Sequence, residues 1–296
     1  MVGTLDMDKI IGYLKLTRPQ NNLIAALSVL VGALVAGDIE YAYASFDWWS
    51  AGSMGGVVFA CISAFFISGG GNCLNDFFDV EIDRINKPFR PLPKGEISRR
   101  SALWFSVFLF LVGLFVSIFI GPLSLVIATT AVIFLIFYSN TLKRKLFWGN
   151  FTVSFVSSLT FIYGGIATSD FRLSLIPAVF AFLFHMGREI IKDIQDLRGD
   201  LSLNISSLPI RFGIRFSLAF TTVIFSFLIF LTLLPYLFDI FSLLYLIMVI
   251  IGVDLVLFYV FHSMWKDPSP SNLGRLSTIL KIDMFLGLAA IYVGKF

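Results

Sequence analysis

The sequence predicts an all-α integral membrane protein, folded as a single domain over residues 1–296 with nine membrane-spanning helices. Three observations predict it. Of the 296 residues, 57% are hydrophobic and the mean hydropathy is +0.88. Only 14% are charged, where a soluble domain carries about 25%. The basic residues, finally, fall almost entirely into alternate loops.

A spanning helix needs about 20 mostly apolar residues. Nine stretches qualify: 20–37, 51–74, 101–120, 122–140, 149–168, 172–191, 214–235, 239–262 and 277–294. The first opens at Pro19, a residue well placed at a helix start. Gly121-Pro122 makes a short turn between the third and fourth, and Pro235-Tyr236 does so between the seventh and eighth. The loop 38–50 carries Trp48 and Trp49, which read as an interfacial belt. The N-terminal segment lacks the short apolar core and small-residue cleavage site of a signal peptide, so the first span is expected to be retained. Cys61 and Cys73 share one apolar stretch. They read as small buried hydrophobes, neither a disulfide framework nor a metal site.

Orientation follows from Lys and Arg. Of the 22 basic residues, all but Arg172 and Lys295 fall on one side when nine spans are counted, with Arg275 and Lys281 in loop 8–9. That side is cytoplasmic. The count therefore places a cell-membrane protein's N-terminus inside and its C-terminus outside. Loops 2–3 and 6–7 are the longest, and together they are expected to cap the cytoplasmic mouth of the bundle. A net charge of +3 is too small to imply a nucleic-acid partner.

Two acidic stretches stand out. The first, NCLNDFFDVEIDRINKPFR, carries Asn72, Asn75, Asp76, Asp79 and Asp83, which at ~100° per residue fall within an arc of roughly 100°. In the second, GREIIKDIQDLRGD, Asp193, Asp196 and Asp200 share an arc of roughly 60° with Glu189. Asp79 to Asp196 and Asp83 to Asp200 span the same 117 residues, a hint of internal duplication. Carboxylates at a membrane edge are costly, and grouped on one face they repel one another. Oxygen-only donors without His or Cys suit a hard cation, Mg²⁺ above all, which is held by one or two carboxylates plus substrate phosphates. The adjacent Arg84, Lys87, Arg90, Lys143 and Lys192 suit a polyphosphate anion. A solvated, salt-bridged helix end is the plain alternative, and intramembrane acids also mark cation paths. The matching order and phase of both stretches favour the metal–diphosphate reading. With 34 Phe residues, a subset lining a pocket would hold an isoprenoid chain and face an allylic cation.

Smaller polar groups sit at helix ends: Arg18, Asn21 and Asn22 at the first span, Tyr138, Ser139 and Asn140 at the fourth. His185 is left as structural, and Asp254 lacks an evident partner.

On these residues the chain resembles the UbiA-type superfamily of intramembrane prenyltransferases. Its motif NxxxDxxxD is matched by Asn75, Asp79 and Asp83, with Asp76 completing the ND start; DRINKPFRPLPKG follows. Its second motif, DxxxD, is matched by Asp196 and Asp200 beside Lys192 and Asp193. Arg18 with Asn22, and Tyr138 with Lys143, match further positions. The resemblance implies a helical horseshoe around a central cavity open to lipid, two Mg²⁺ ions and a prenyl diphosphate donor. One Mg²⁺ falls to Asn75, Asp79 and Asp83, the other to Asp196 and Asp200, with Asp193 in support. Lys87, Arg90, Lys143 and Lys192 hold the diphosphate. Arg18, Asn22, Asn72 and Tyr138 face substrate, and Asp76 takes the acceptor's proton. Within the superfamily the two motifs most resemble the archaeal digeranylgeranylglyceryl phosphate synthases, which implies geranylgeranyl diphosphate as donor and geranylgeranylglyceryl phosphate as lipophilic acceptor. Members with aromatic acceptors share much of the first motif, but the Tyr that some carry just before the second is missing here.

Overall fold

The computed structural model describes residues 7–37, 54–168, 170–202 and 206–295. All regular structure among them is helical. α1 (Met7–Thr17) exposes Met7, Ile10, Ile11 and Leu14 at helical spacing while Leu16 is buried against Cys73 and Val80. Arg18 then adopts a left-handed conformation, φ 53° and ψ 69°, and turns the chain into α2 (Pro19–Ala36). α3 (Met54–Phe78) is followed by the short α4 (Val80–Asn86). α5 (Arg99–Ile118) starts where the Ser98 side chain accepts from the Ser101 amide at 3.1 Å. α6 (Pro122–Asn140), α7 (Trp148–Ala167) and α8 (Leu175–Gln195) follow, then the short α9 (Leu197–Ser202) and α10 (Leu208–Phe212). α11 (Ile214–Leu237), α12 (Leu243–Lys266) and α13 (Pro270–Gly294) complete the chain. α12 carries a π-helical turn at Ile250–Asp254.

Eight of these helices, α2, α3, α5, α6, α7, α11, α12 and α13, are long and apolar enough to cross a membrane. The protein is a multi-pass membrane protein. Outward faces agree: Trp104, Phe108, Leu111 and Phe115 form one exposed stripe along α5, where only lipid can cover them. The remaining expected span, 172–191, is the 21-residue α8, whose second half carries Arg188, Glu189, Lys192 and Asp193. Seven-residue displacement separates the last expected span from α13, because Ser269 caps the helix and Pro270 begins it. Arg275, assigned above to loop 8–9, therefore lies inside a helix, as does Lys281, which the expected span 277–294 already contained. Trp48 and Trp49 fall outside the described residues.

The helices pack as two cores joined by α2 and α7, which contribute to both. Small residues let backbones approach, as lipid-embedded helices require. Ser63 on α3 donates to the Gly113 carbonyl at 2.8 Å, Ser106 on α5 donates to that of Gly70 at 2.8 Å, and Tyr163 on α7 donates to Ser63 at 3.0 Å. Between α2 and α7 there is no room for a methyl group. A Cβ on Gly164 would sit 1.9 Å from the Val29 carbonyl oxygen, and one on Gly32 would sit 2.2 Å from that of Phe161. These are backbone atoms, so only whole-helix displacement relieves the clash. Gly164→Ala is expected to cost about 1–3 kcal/mol and to lower the thermal midpoint of the protein in bilayer discs. An unchanged midpoint would show that this contact is not tight.

Among the buried polar groups, Asp254 receives the Thr232 hydroxyl at 3.1 Å. Asp283 on α13 is as deeply buried and has no hydrogen-bond partner among the described residues. Cys61 and Cys73 are both free, as their apolar setting predicts.

Candidate active site

The two acidic stretches share a local geometry. α3 ends at Phe78, Asp79 bends the chain with φ −88° and ψ 3°, and α4 continues. α8 ends at Gln195, Asp196 bends it with φ −89° and ψ 4°, and α9 continues. Each bend keeps its i to i−4 bonds: Asp79 N donates to Asn75 O at 2.9 Å, and Asp196 N to Lys192 O at 2.8 Å. The spacing of four thus survives the kink, and the carboxylates on either side of it stay in phase.

Both stretches line one cavity of about 560 Å³. From the first come Asn72, Asn75, Asp79 and Asp83; from the second, Lys192, Asp193, Asp196 and Asp200. Asn75 donates to Asp79 at 2.8 Å. Lys143, carried on the loop after α6, is ion-paired to Asp79 and reaches Asn75 Oδ1 at 3.5 Å. Arg90 is ion-paired to Asp83 and, at 3.1 Å, to Asp76. Across the cavity, Asn150 on α7 donates to Asp193 at 2.8 Å. Two basic groups join the walls electrostatically. The charges of Asp196 and Asp83 act on Lys87, and that of Lys143 acts on Asp200.

Electrostatics follow from this crowding. Burial, and then the Asp196 carboxylate, push Asp200 up to about 6. Burial also raises Asp83, with Arg90 opposing and Asp76 and Asp79 adding to the rise. Lys87 is pulled below its usual range by burial and by Arg90. Asp196 and Asp200 have no ion-pair partner among the described residues. Uncompensated carboxylates facing paired ones are a donor set that wants a cation. No three His, Cys, Asp or Glu side chains among the described residues already form a cage. Mg²⁺ does not need one, since it takes one or two carboxylates and completes its shell with water and phosphate oxygens. The residues fit that ion.

Several expectations need correction. Asp76 is absent from the cavity wall. It is buried, with its Oδ1 shared between the guanidiniums of Arg18 and Arg90, an arrangement that suits an anchor rather than a base open to the cavity. The five polar residues of the first stretch share a helical phase, but only four of them line the cavity. Asn22 is fully buried and receives the Asn72 amide at 3.2 Å; it orients Asn72, which does face the cavity, and is absent from the cavity wall itself. The phenylalanine-lined pocket is also wrong: Phe147 alone among the described phenylalanines lines the cavity, where the other aromatic walls are Tyr138 and Tyr163. Most Phe residues face lipid or pack between helices. Arg18 and Tyr138 line the cavity as expected.

Sequence reasoning missed Asn150, Arg188, His185 and Lys281, all on the wall. A lysine and an arginine inside apolar helices were the available signal.

A helical bundle whose inner cavity gathers carboxylates and basic side chains beside apolar walls is the architecture of an intramembrane enzyme. Residues 24–286 match the model of the UbiA prenyltransferase family, and the chain belongs to that family and is an intramembrane prenyltransferase. Among its relatives, the digeranylgeranylglyceryl phosphate synthase of Methanosphaera stadtmanae is 33% identical over 95% of this chain and 98% of that one. The enzyme of the same name from Methanocaldococcus jannaschii is 35% identical over 97% of each. A solved digeranylgeranylglyceryl phosphate synthase structure is similar with a TM-score of 0.77 at 34% identity, covering 98% of this chain and 99% of that one. A UbiA homologue from Archaeoglobus fulgidus, solved with DMAPP and Mg²⁺, shares the fold with a TM-score of 0.70 at 19% identity, over 95% and 99% of the chains.

Proposed function

We propose that this prenyltransferase moves a geranylgeranyl group from geranylgeranyl diphosphate to the free hydroxyl of geranylgeranylglyceryl phosphate. The observation that supports the reading is the convergence of both acidic stretches, with Lys87 and Lys143, on one cavity. The names of the full-length relatives support the acceptor.

Asn75, Asp79 and Asp83 would hold one Mg²⁺, and Asp196 and Asp200 the other, with Asp193 held nearby by Asn150. Bound there, Mg²⁺ neutralises the diphosphate oxygens and makes them a better leaving group. Lys87, Arg90, Lys143 and Lys192 receive the negative charge that develops as the allylic C–O bond breaks. Lys143 is well placed, because its pairing with Asp79 holds the ammonium on the cavity wall before substrate arrives. Ile24, Ile67, Ile127, Leu135 and Val156 give the prenyl chain an apolar channel, and their packing keeps water from the cation. Tyr138 offers a ring face to it.

Around this site we read a horseshoe of nine spans, α8 being the ninth: its charged half faces the cavity, so the helix presents lipid with apolar side chains only. The segments containing α4, α9 and α10 form the cytoplasmic cap. The N-terminus is cytoplasmic and the C-terminus external, with one domain over the chain.

The test is an assay of membranes with labelled geranylgeranyl diphosphate, offered either geranylgeranylglyceryl phosphate or an aromatic acceptor such as homogentisate. Label is expected in the glyceryl lipid, EDTA is expected to stop transfer, and added Mg²⁺ to restore it. Label in the aromatic product alone would replace the acceptor. Cation flux without loss of diphosphate would remove the enzyme.

A further inference from the structure

The cavity holds more positive charge than one diphosphate requires. Apart from the lysines beside the carboxylates, a second group lines it: Arg18 at the head of α2, His185 and Arg188 on α8, and Lys281 on α13. Their counter-charges are short. Glu189 accepts from Arg188 at 3.1 Å, but the same carboxylate takes the Lys192 ammonium at 2.7 Å. Arg18 is paired with Asp76, which also serves Arg90. Lys281 has no carboxylate within ion-pair distance among the described residues; its one polar contact there is neutral Gln20 at 3.3 Å. The charged groups facing its ammonium are Arg188 and Arg18, both positive. Two polar atoms of the group are buried without any hydrogen-bond partner, Arg188 Nε and His185 Nδ1. A buried donor left unmatched is costly, and three cations meeting inside a membrane protein repel one another. Both costs disappear if an anion sits between them.

We propose that His185, Arg188 and Lys281 form a second anion pocket, which binds the phosphate monoester of the lipid acceptor. This rests on the reading of the acceptor given above. Spacing supports the division of labour. Arg188 and Lys192 are one turn apart on α8, about 6 Å along the axis. A phosphate held at Arg188 thus places a hydroxyl oxygen four bonds from the phosphorus beside the allylic carbon of a donor whose diphosphate is held at Lys192. Arg188 presents a fork that matches two phosphate oxygens, Lys281 adds a point charge, and His185 faces the same space. Asp76, through Arg18, fixes the far edge.

The experiment compares the full-length protein in bilayer discs with Lys281→Gln, Lys281→Arg and Arg188→Gln. Steady-state kinetics are measured with geranylgeranylglyceryl phosphate and with its phosphate-free alcohol. Lys281→Gln and Arg188→Gln are expected to raise KM for the phosphorylated acceptor by about 10- to 100-fold, one charge-assisted hydrogen bond's worth. KM for the prenyl diphosphate stays where it was, and Lys281→Arg recovers most of the loss. The wild-type preference for phosphorylated over phosphate-free acceptor shrinks by the same factor. Unchanged acceptor KM in both Gln variants, or losses falling equally on donor and acceptor, would overturn the pocket. A second arm needs no turnover: thermal stabilisation by a dialkylglycerol phosphate, present in wild type and lost in both Gln variants. If no glyceryl lipid is prenylated but this stabilisation depends on Lys281, the pocket stands and the acceptor assignment falls. If the stabilisation is equal in all proteins, the pocket falls whatever the acceptor.

Discussion

Asp79→Ala and Asp196→Ala are each expected to lower prenyl-transfer turnover by about 10²- to 10³-fold, the scale on which loss of one preorganised charge-stabilising group acts. The two differ usefully in what else they disturb. Asp196 is exposed and holds no ion pair among the described residues, so its removal should leave stability within about 0.5 kcal/mol of wild type. Its effect then reads on chemistry alone. Asp79 is buried and paired with Lys143. That lysine side chain is 31% exposed, so its charge is not stranded when the partner goes, and the fold survives. Both variants would lose turnover together with the Mg²⁺ dependence of what remains, while Asp170→Ala, on an exposed pair with Arg172 away from the cavity, changes nothing. A folded Asp79→Ala or Asp196→Ala enzyme working at near-normal rate would remove this cavity as the active site.

Much of that site is legible in the sequence because it is local. A carboxylate every four residues stays on one helix face whatever the tertiary structure does, and the kinks at Asp79 and Asp196 preserve the i to i−4 bonds that make this true. Span positions are legible for the same reason: a run of about 20 apolar residues has no alternative environment. What fails is what depends on a partner far away in the chain. Asp76 has the right helical phase for the cavity, yet Arg18, 58 residues earlier, captures it. Nothing in the run from 72 to 83 announces that. Lys281 was misplaced because charge was read as a loop marker although the expected span 277–294 already held it, and Arg275 because the Ser269 cap extends the helix N-terminally. The abundance of Phe misled in the opposite direction. Bulk aromatic content reports the lipid-facing surface, and the apolar part of the cavity's own wall is made mostly of aliphatic and small residues.

Asp76→Ala is expected to destabilise the protein by about 2–4 kcal/mol, where removal of one member of a buried pair costs 3–5 and the 30% exposure of the Arg18 side chain reduces the cost. Two guanidiniums lose their common acceptor at once. Arg90 keeps Asp83, but Arg18 has no second carboxylate among the described residues and is held in a left-handed backbone conformation at the head of α2. That strain is tolerated only while the surroundings fix it. A proton acceptor would behave differently. Asp76→Asn preserves volume and shape, so a base lost by that change would abolish kcat in a protein as stable as wild type. An anchor lost by it would lower the thermal midpoint, raise KM for the diphosphate as Arg90 drifts, and leave a measurable kcat. Coupling decides between them: if Asp76 acts through Arg18, the stability losses of Asp76→Asn and Arg18→Met should fall short of additivity by about 1 kcal/mol or more in the double variant. Additive losses, with turnover gone in Asp76→Asn alone, would return the carboxylate to the chemistry.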